Sequence, residues 1–369
     1  MFNKYNEGEI TSTQFYILIV SFIIGTGILT LATSVCQVAK QDGWISVLIT
    51  GIFVSLFTYI SIFVASRFKN LSFLQYSSYL LSKPIGFLIS FSYFIYAILM
   101  SAALLRSLSE MVVTWFLPRT PIYITILITL ITVVNIAKDG MTFVARFCQA
   151  IFLLIIPLVL LLFIPITEIS FINIMPIGGA GISKILEGTI PSFFSYAGYE
   201  MTLFLYPFIA NKNKNIAKTS SLCILSITLL YTFLIITQTA LFGPEELQTL
   251  MYPTITYLDV KDVLIIERIE IVFSILWIFK VLTTIIIQFY LATLQLQALL
   301  NTKTNSIFAY ILTPVVFILT LYPRNVMELN LFKEKLSYYN IFIGLVLPLV
   351  LLIMIYIKGE GINKNGKKI

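Results

Sequence analysis

The chain has 369 residues, 59% of them apolar and 11% charged, with a net charge of +7 and a mean hydropathy of +0.96. That excludes a soluble domain, in which roughly a quarter of residues are charged, and the positive excess reads as membrane topology, not as a nucleic-acid surface. Histidine is absent, which removes the commonest metal ligand and proton shuttle, and three scattered cysteines, Cys36, Cys148 and Cys223, suggest neither a disulfide framework nor a CxxC site.

Ten apolar spans follow one another, at about 12–34, 43–66, 84–116, 121–137, 141–166, 187–210, 218–242, 263–299, 307–323 and 338–357. Crossing a bilayer takes about 20 residues of helix. The polar opening, 1–11, carries no cleavable signal pattern, so the first span is expected to stay as an anchor. The longest polar connections are 167–184 and 243–262. Within the first of them, Pro176 and three glycines make 172–181 a turn-rich external loop or a short re-entrant piece.

Lysine and arginine set the orientation. With the N-terminus cytoplasmic, fourteen of the 24 basic residues lie inside and seven outside, while Arg106, Arg268 and Lys280 fall within spans. Both termini are therefore expected to be cytoplasmic.

Two spans are interrupted. Gly25-Thr26-Gly27 sits in the middle of the first and Tyr196-Ala197-Gly198-Tyr199-Glu200 in the middle of the sixth. Each glycine costs a helix interior roughly 1 kcal/mol relative to alanine, and backbone that leaves the helix must be buried in protein or face a watery cavity. Ten spans divide into five plus five, which places the two breaks at corresponding positions of inverted halves. Such paired breaks point to a transporter-type site at the midplane. The whole chain, 1–369, thus reads as one polytopic membrane domain. Its first repeat spans 12–166 and its second begins at 187, running to 323 and, with the last helices included, to 357.

The first break offers backbone N–H groups to an anion such as a carboxylate, or else allows close helix packing. Glu200 acts in binding or gating, or caps the second half-helix. Arg106 and Glu110 share a face of the third span, and Glu267, Arg268 and Glu270 open the eighth. Arg106 is expected to pair with Glu267 or Glu270, as an external gate, a static lock or a pair reaching for the interface. On the eighth span, Thr283 and Thr284 coordinate a cation or a ligand, or bond their own backbone. Lys280 is a fixed charge in place of a cotransported cation, or a partner of Glu200. Tyr96 and Met100, one turn apart on the third span, line a pocket or pack. Neither a phosphate-binding glycine loop nor a nucleophile with its partners is present, so an enzyme is not expected.

An ordered set of motifs resembles the B subunits of spore germination receptors, within the amino acid–polyamine–organocation permease superfamily. The set comprises Gly25-Thr26-Gly27-Ile28-Leu29-Thr30-Leu31, Asp42-Gly43-Trp44-Ile45, Arg106 with Glu110-Met111-Val112, and Arg119-Thr120-Pro121. It continues with Gly198 and Glu200 before Leu203-Phe204-Leu205, Tyr252-Pro253-Thr254-Ile255, and Glu267-Arg268, Glu270, Trp277 and Thr283-Thr284. The resemblance implies an all-α, LeuT-like fold with helices 1 and 6 broken, and no cofactor. It implies germinant sensing in the inner membrane of a bacterial spore, and two partners, a membrane A subunit and a lipoprotein C subunit. It places an amino-acid-like ligand against Gly25, Thr26, Gly27, Tyr96, Met100, Ala197, Gly198 and Thr283 or Thr284. Two departures stand out: Ala32 where relatives often carry proline, and Lys280. A proton- or cation-coupled amino-acid transporter is the alternative, and ligand-gated passage of water or ions lies between the two.

Overall fold

Caps, glycines and prolines cut the chain into α-helices joined by short turns. They are seen in a computed structural model that describes residues 9–68, 71–212, 214–261, 268–302 and 306–358. In order they are α1 (Ser12–Ile23), α2 (Gly27–Ala39), α3 (Gly43–Arg67), α4 (Phe73–Leu80), α5 (Lys83–Trp115), α6 (Ile122–Ala137), α7 (Met141–Phe152) and α8 (Ile155–Leu161). The second half holds α9 (Ile182–Glu187), α10 (Thr189–Ser195), α11 (Thr202–Leu205), α12 (Ile216–Leu247), α13 (Pro253–Asp259), α14 (Ile269–Leu300), α15 (Ser306–Leu321), α16 (Val326–Ile341) and α17 (Leu347–Lys358). Among the described residues there is no strand, only a parallel bridge between Ile10 and Ile209.

Local chemistry accounts for many of the boundaries. Thr11 with Gln14 and Ser72 with Gln75 form capping boxes ahead of α1 and α4. Pro84 sits in the first turn of α5, where its missing N–H has no helical partner to lose. Gly243, with φ of 74°, bends α12 just before Pro244. Small and hydroxyl side chains let α3 and α12 lie close together. Gly51 leaves no room for a Cβ against Thr228, and the Ser55 and Ser221 hydroxyls meet at 2.6 Å.

Among the described residues, six helical stretches are long and apolar enough to cross a membrane: Gly27–Arg67, Lys83–Trp115, Met141–Glu168, Ile216–Leu247, Ile269–Leu300 and Val326–Lys358. Three of the remaining expected spans are shorter apolar helices, α1, α6 and α15. The one expected at 187–210 is divided among α9, α10, α11 and intervening turns. Hydropathy measures apolar content and is blind to continuity, so a run broken at its centre gives pieces each shorter than a bilayer needs.

Asp42 explains its own motif. Its wholly buried carboxylate accepts the backbone N–H of Gly178 at 2.7 Å and of Ala180 at 2.8 Å, which ties the 176–181 loop to the start of α3. Hydrogen bonds to a charged acceptor contribute about 1.5–3 kcal/mol. Asp42→Ala is therefore expected to speed hydrogen exchange at the Gly178 and Ala180 amides by roughly tenfold or more. Unchanged protection at both would show that the loop is held by other contacts.

Candidate functional site

The first break lies between α1 and α2. Ile24, with ψ of 85°, leaves the helix, and α2 restarts at Gly27. Three carbonyls there accept from side chains. Ser21 O accepts from Lys280 Nζ at 2.7 Å and Thr284 Oγ1 at 3.1 Å, Ile23 O from the Tyr231 hydroxyl at 2.9 Å, and Gly25 O from Trp277 Nε1 at 3.2 Å. This is how a broken helix is tolerated in an apolar surround: α12 and α14 supply the donors that lipid cannot.

The second break follows α10. Gly198 has φ of 120°, a conformation open to glycine and strained for other residues. Its N–H donates to Glu200 Oε2 at 2.7 Å, so the carboxylate caps the turn that leads into α11. Tyr231 also stands 3.3 Å from Ser195 O, so one hydroxyl sits between the two breaks.

The breaks touch. A Cβ on Gly27 would lie 2.6 Å from Ser195 Cα, one on Gly198 2.8 Å from the Phe22 ring, and one on Gly25 2.8 Å from Thr284 Oγ1. Between them is a cavity with free space of about 10 Å³, room for a single water. It is lined by Gly25, Thr26, Gly27, Ala197, Gly198 and Glu200 from the breaks, with Tyr96 and Met100 of α5, Thr284 and Gln288 of α14, and Phe22 and Phe194. A second cavity, of about 30 Å³, shares Thr26 and is bounded by Thr30, Ser107, Tyr252, Trp277 and Lys333. The Lys333 ammonium stands 5.9 Å from the ring centre of Phe194 and so links the walls of the two cavities.

Eight of the nine expected pocket residues are brought to this cavity. Thr283 is not: its hydroxyl donates to Lys280 O at 2.7 Å, as threonines in helices commonly do. Among the described residues, neither Lys280 with Glu200 nor Arg106 with Glu270 forms a pair. Lys280 turns to the carbonyl end of α1, where the helix dipole is negative, and not to Glu200. Arg106 pairs with Glu110, one turn along α5, through Nε at 3.0 Å and Nη2 at 2.6 Å, and also reaches Arg324 O at 3.4 Å. Glu270 is held by Arg268 at 2.8 Å. For Arg106 a carboxylate one turn away on the same helix wins over Glu270 on another, because little side-chain ordering is needed to reach it. Glu267 lies outside the described residues.

The site also holds residues that the sequence alone does not single out. Gln288, one turn beyond Thr284, is wholly buried on the cavity, and Tyr231 anchors both breaks. A signal for Gln288 exists: an amide four residues after Thr284 on the same apolar helix. For Tyr231 the partners are backbone carbonyls, and these leave no trace in sequence.

A family model described as spore germination protein matches residues 9–329. Spore germination protein YndE of Bacillus subtilis (strain 168) is 28% identical over 350 residues, covering 94% of this chain and 96% of that protein. Spore germination protein A2 of the same organism is 27% identical, over 97% and 98% of the two chains. Spore germination protein GerQB of Bacillus cereus is 26% identical, over 94% and 96%.

Proposed function

The chain belongs to the spore germination protein family, and from that premise we propose that it is the germinant-sensing B subunit of a spore germination receptor. In this reading it lies in the inner membrane of the spore, with both termini cytoplasmic, as one domain of ten helices built from two inverted five-helix halves. The first and sixth helices are the broken ones. Its partners are a membrane A subunit and a lipoprotein C subunit, and its ligand is a small amino-acid-like germinant.

The observation that carries the reading is the meeting of the two breaks around one cavity. The start of α2 faces that cavity with Thr26 and Gly27, and Glu200 faces it from the second break. A half-helix N-terminus favours a carboxylate. An amino acid is much larger than the free space of about 10 Å³, so its entry requires α2 and α10 to part. Binding is then coupled to conformation by necessity: ligand stabilises an opened arrangement and shifts the population toward it. About 5.5 kcal/mol of differential affinity would carry a 1:99 balance to 99:1.

The test is binding and uptake of radiolabelled amino acids by the purified protein in liposomes, with and without a proton gradient, beside a Gly27→Leu variant. Saturable binding without accumulation, lost in the variant, is the expected result. Gradient-driven accumulation would make the chain a coupled transporter. No binding by folded protein would remove the amino-acid site from this subunit.

A further inference from the structure

We infer that Glu200, assisted by Gln288, selects ligands that carry a protonated amine. This rests on reading the cavity as the germinant site, and it adds the chemical class that the site demands. Glu200 is wholly buried, and its carboxylate has no charged partner: Oε2 accepts the Gly198 N–H, while Oε1, beside the Tyr96 hydroxyl and the Asn340 amide, makes no well-aligned hydrogen bond among the described residues. Gln288 is also wholly buried, and neither its amide oxygen nor its amide nitrogen has a partner among them. Both residues line the same cavity.

Among the described residues no cation is paired with Glu200. Lys280, the buried ammonium on the neighbouring stretch of α14, donates to Ser21 O and Thr283 Oγ1, and Arg106 is committed to Glu110. The polar side chains nearest this carboxylate are neutral ones, among them the hydroxyls of Tyr93, Tyr199 and Tyr96 and the amide of Asn340, which donates to the Tyr96 hydroxyl at 3.1 Å. A carboxylate removed from water without a counter-charge is costly, and so is a buried amide with nothing to bond. A ligand ammonium relieves both: it gives a positive charge and N–H donors to Oε1 and to the amide oxygen of Gln288.

The opposite wall has the opposite preference. At Thr26 and Gly27 the start of α2 favours an anion. A zwitterion is thereby oriented, with its carboxylate toward α2 and its amine toward Glu200. A ligand with a carboxylate alone would satisfy one wall and leave Glu200 and Gln288 unpaired, which is how a polar site rejects an analogue that lacks a group.

The experiment presents the twenty proteinogenic L-amino acids, one at a time, to the purified protein and follows thermal stabilisation and equilibrium dialysis. Each binder is then compared with its desamino analogue, on wild type and on Glu200→Gln. The wild type is expected to bind the desamino analogue roughly 30-fold or more weaker than the amino acid, the scale of a buried charge left unpaired. In Glu200→Gln that discrimination should fall below about threefold. Equal binding of both ligands by wild type would overturn the inference, as would full discrimination in Glu200→Gln, which would leave the residue only its cap on Gly198. If Glu200→Gln fails to fold, the wild-type comparison still decides, and Gln288→Leu carries the variant arm, with reduced discrimination expected. Should no amino acid bind, the proposed function fails and this assignment falls with it. Should an amino acid bind without amine discrimination, only this assignment fails.

Discussion

Gly27→Leu is expected to abolish amino-acid binding, and Gly27→Ala to weaken it severely. The reason is the position of α10. A Cβ at residue 27 would stand 2.6 Å from Ser195 Cα, 2.7 Å from its Oγ and 2.8 Å from its Cβ. The first of these is backbone, so no change of rotamer clears it and the helix itself must move. Overpacking of this kind typically costs about 1–3 kcal/mol, and close-packed interiors transmit the displacement to their neighbours. Here the neighbour is the cavity, which both Gly27 and Ser195 line. The alanine variant offers a finer test. Ser195→Gly removes two of the three contacts and leaves the Cα, so combined with Gly27→Ala it should restore part of the binding and part of the thermal stability. Unimpaired binding by folded Gly27→Leu would place the ligand elsewhere.

The place of the candidate site is legible in the sequence because glycine in the middle of an apolar run has few roles, and two such interrupted runs have fewer still. The contacts that hold the breaks together are less legible. Lys280, Tyr231 and Trp277 donate to carbonyls of residues 21, 23 and 25, and a backbone acceptor has no residue type to betray it. Gln288 is hidden for another reason: whether it faces the cavity depends on the rotation of α14 about its axis, and a helix whose polar residues include Gln295 and Gln297, both buried, does not announce which face is inward. Hydropathy overstates the number of continuous spans because its window runs straight across the turns at 24–26 and 196–198. The same glycines that mark the site also mark the ends of helices there.

Arg106 and Glu110 show that the correct charge pair is also present in the sequence. Their spacing of four puts them on a shared face, and that alone is enough to pair them without a partner from α14. The side chains are only 6% and 16% exposed, and two nitrogens of Arg106 converge on one oxygen of Glu110. Breaking such a pair leaves an uncompensated charge, at about 3–5 kcal/mol, whereas replacing both members by apolar residues is often neutral or stabilising. Arg106→Met and Glu110→Met should therefore each lower the melting temperature in detergent, while the double variant should be more stable than either single one. The expected coupling energy is about 1–3 kcal/mol. The double variant recovers less than everything, since the guanidinium also bonds Arg324 O, which would be left without that donor. The same experiment with Glu270 separates the two possible partners. Glu270 is held by Arg268, so Arg106→Met combined with Glu270→Gln should be additive within about 0.5 kcal/mol. Stronger coupling of Arg106 to Glu270 than to Glu110 would mean that the cross-helix pair forms in a second conformation, and the two carboxylates would then be alternative seats for one guanidinium as the protein opens.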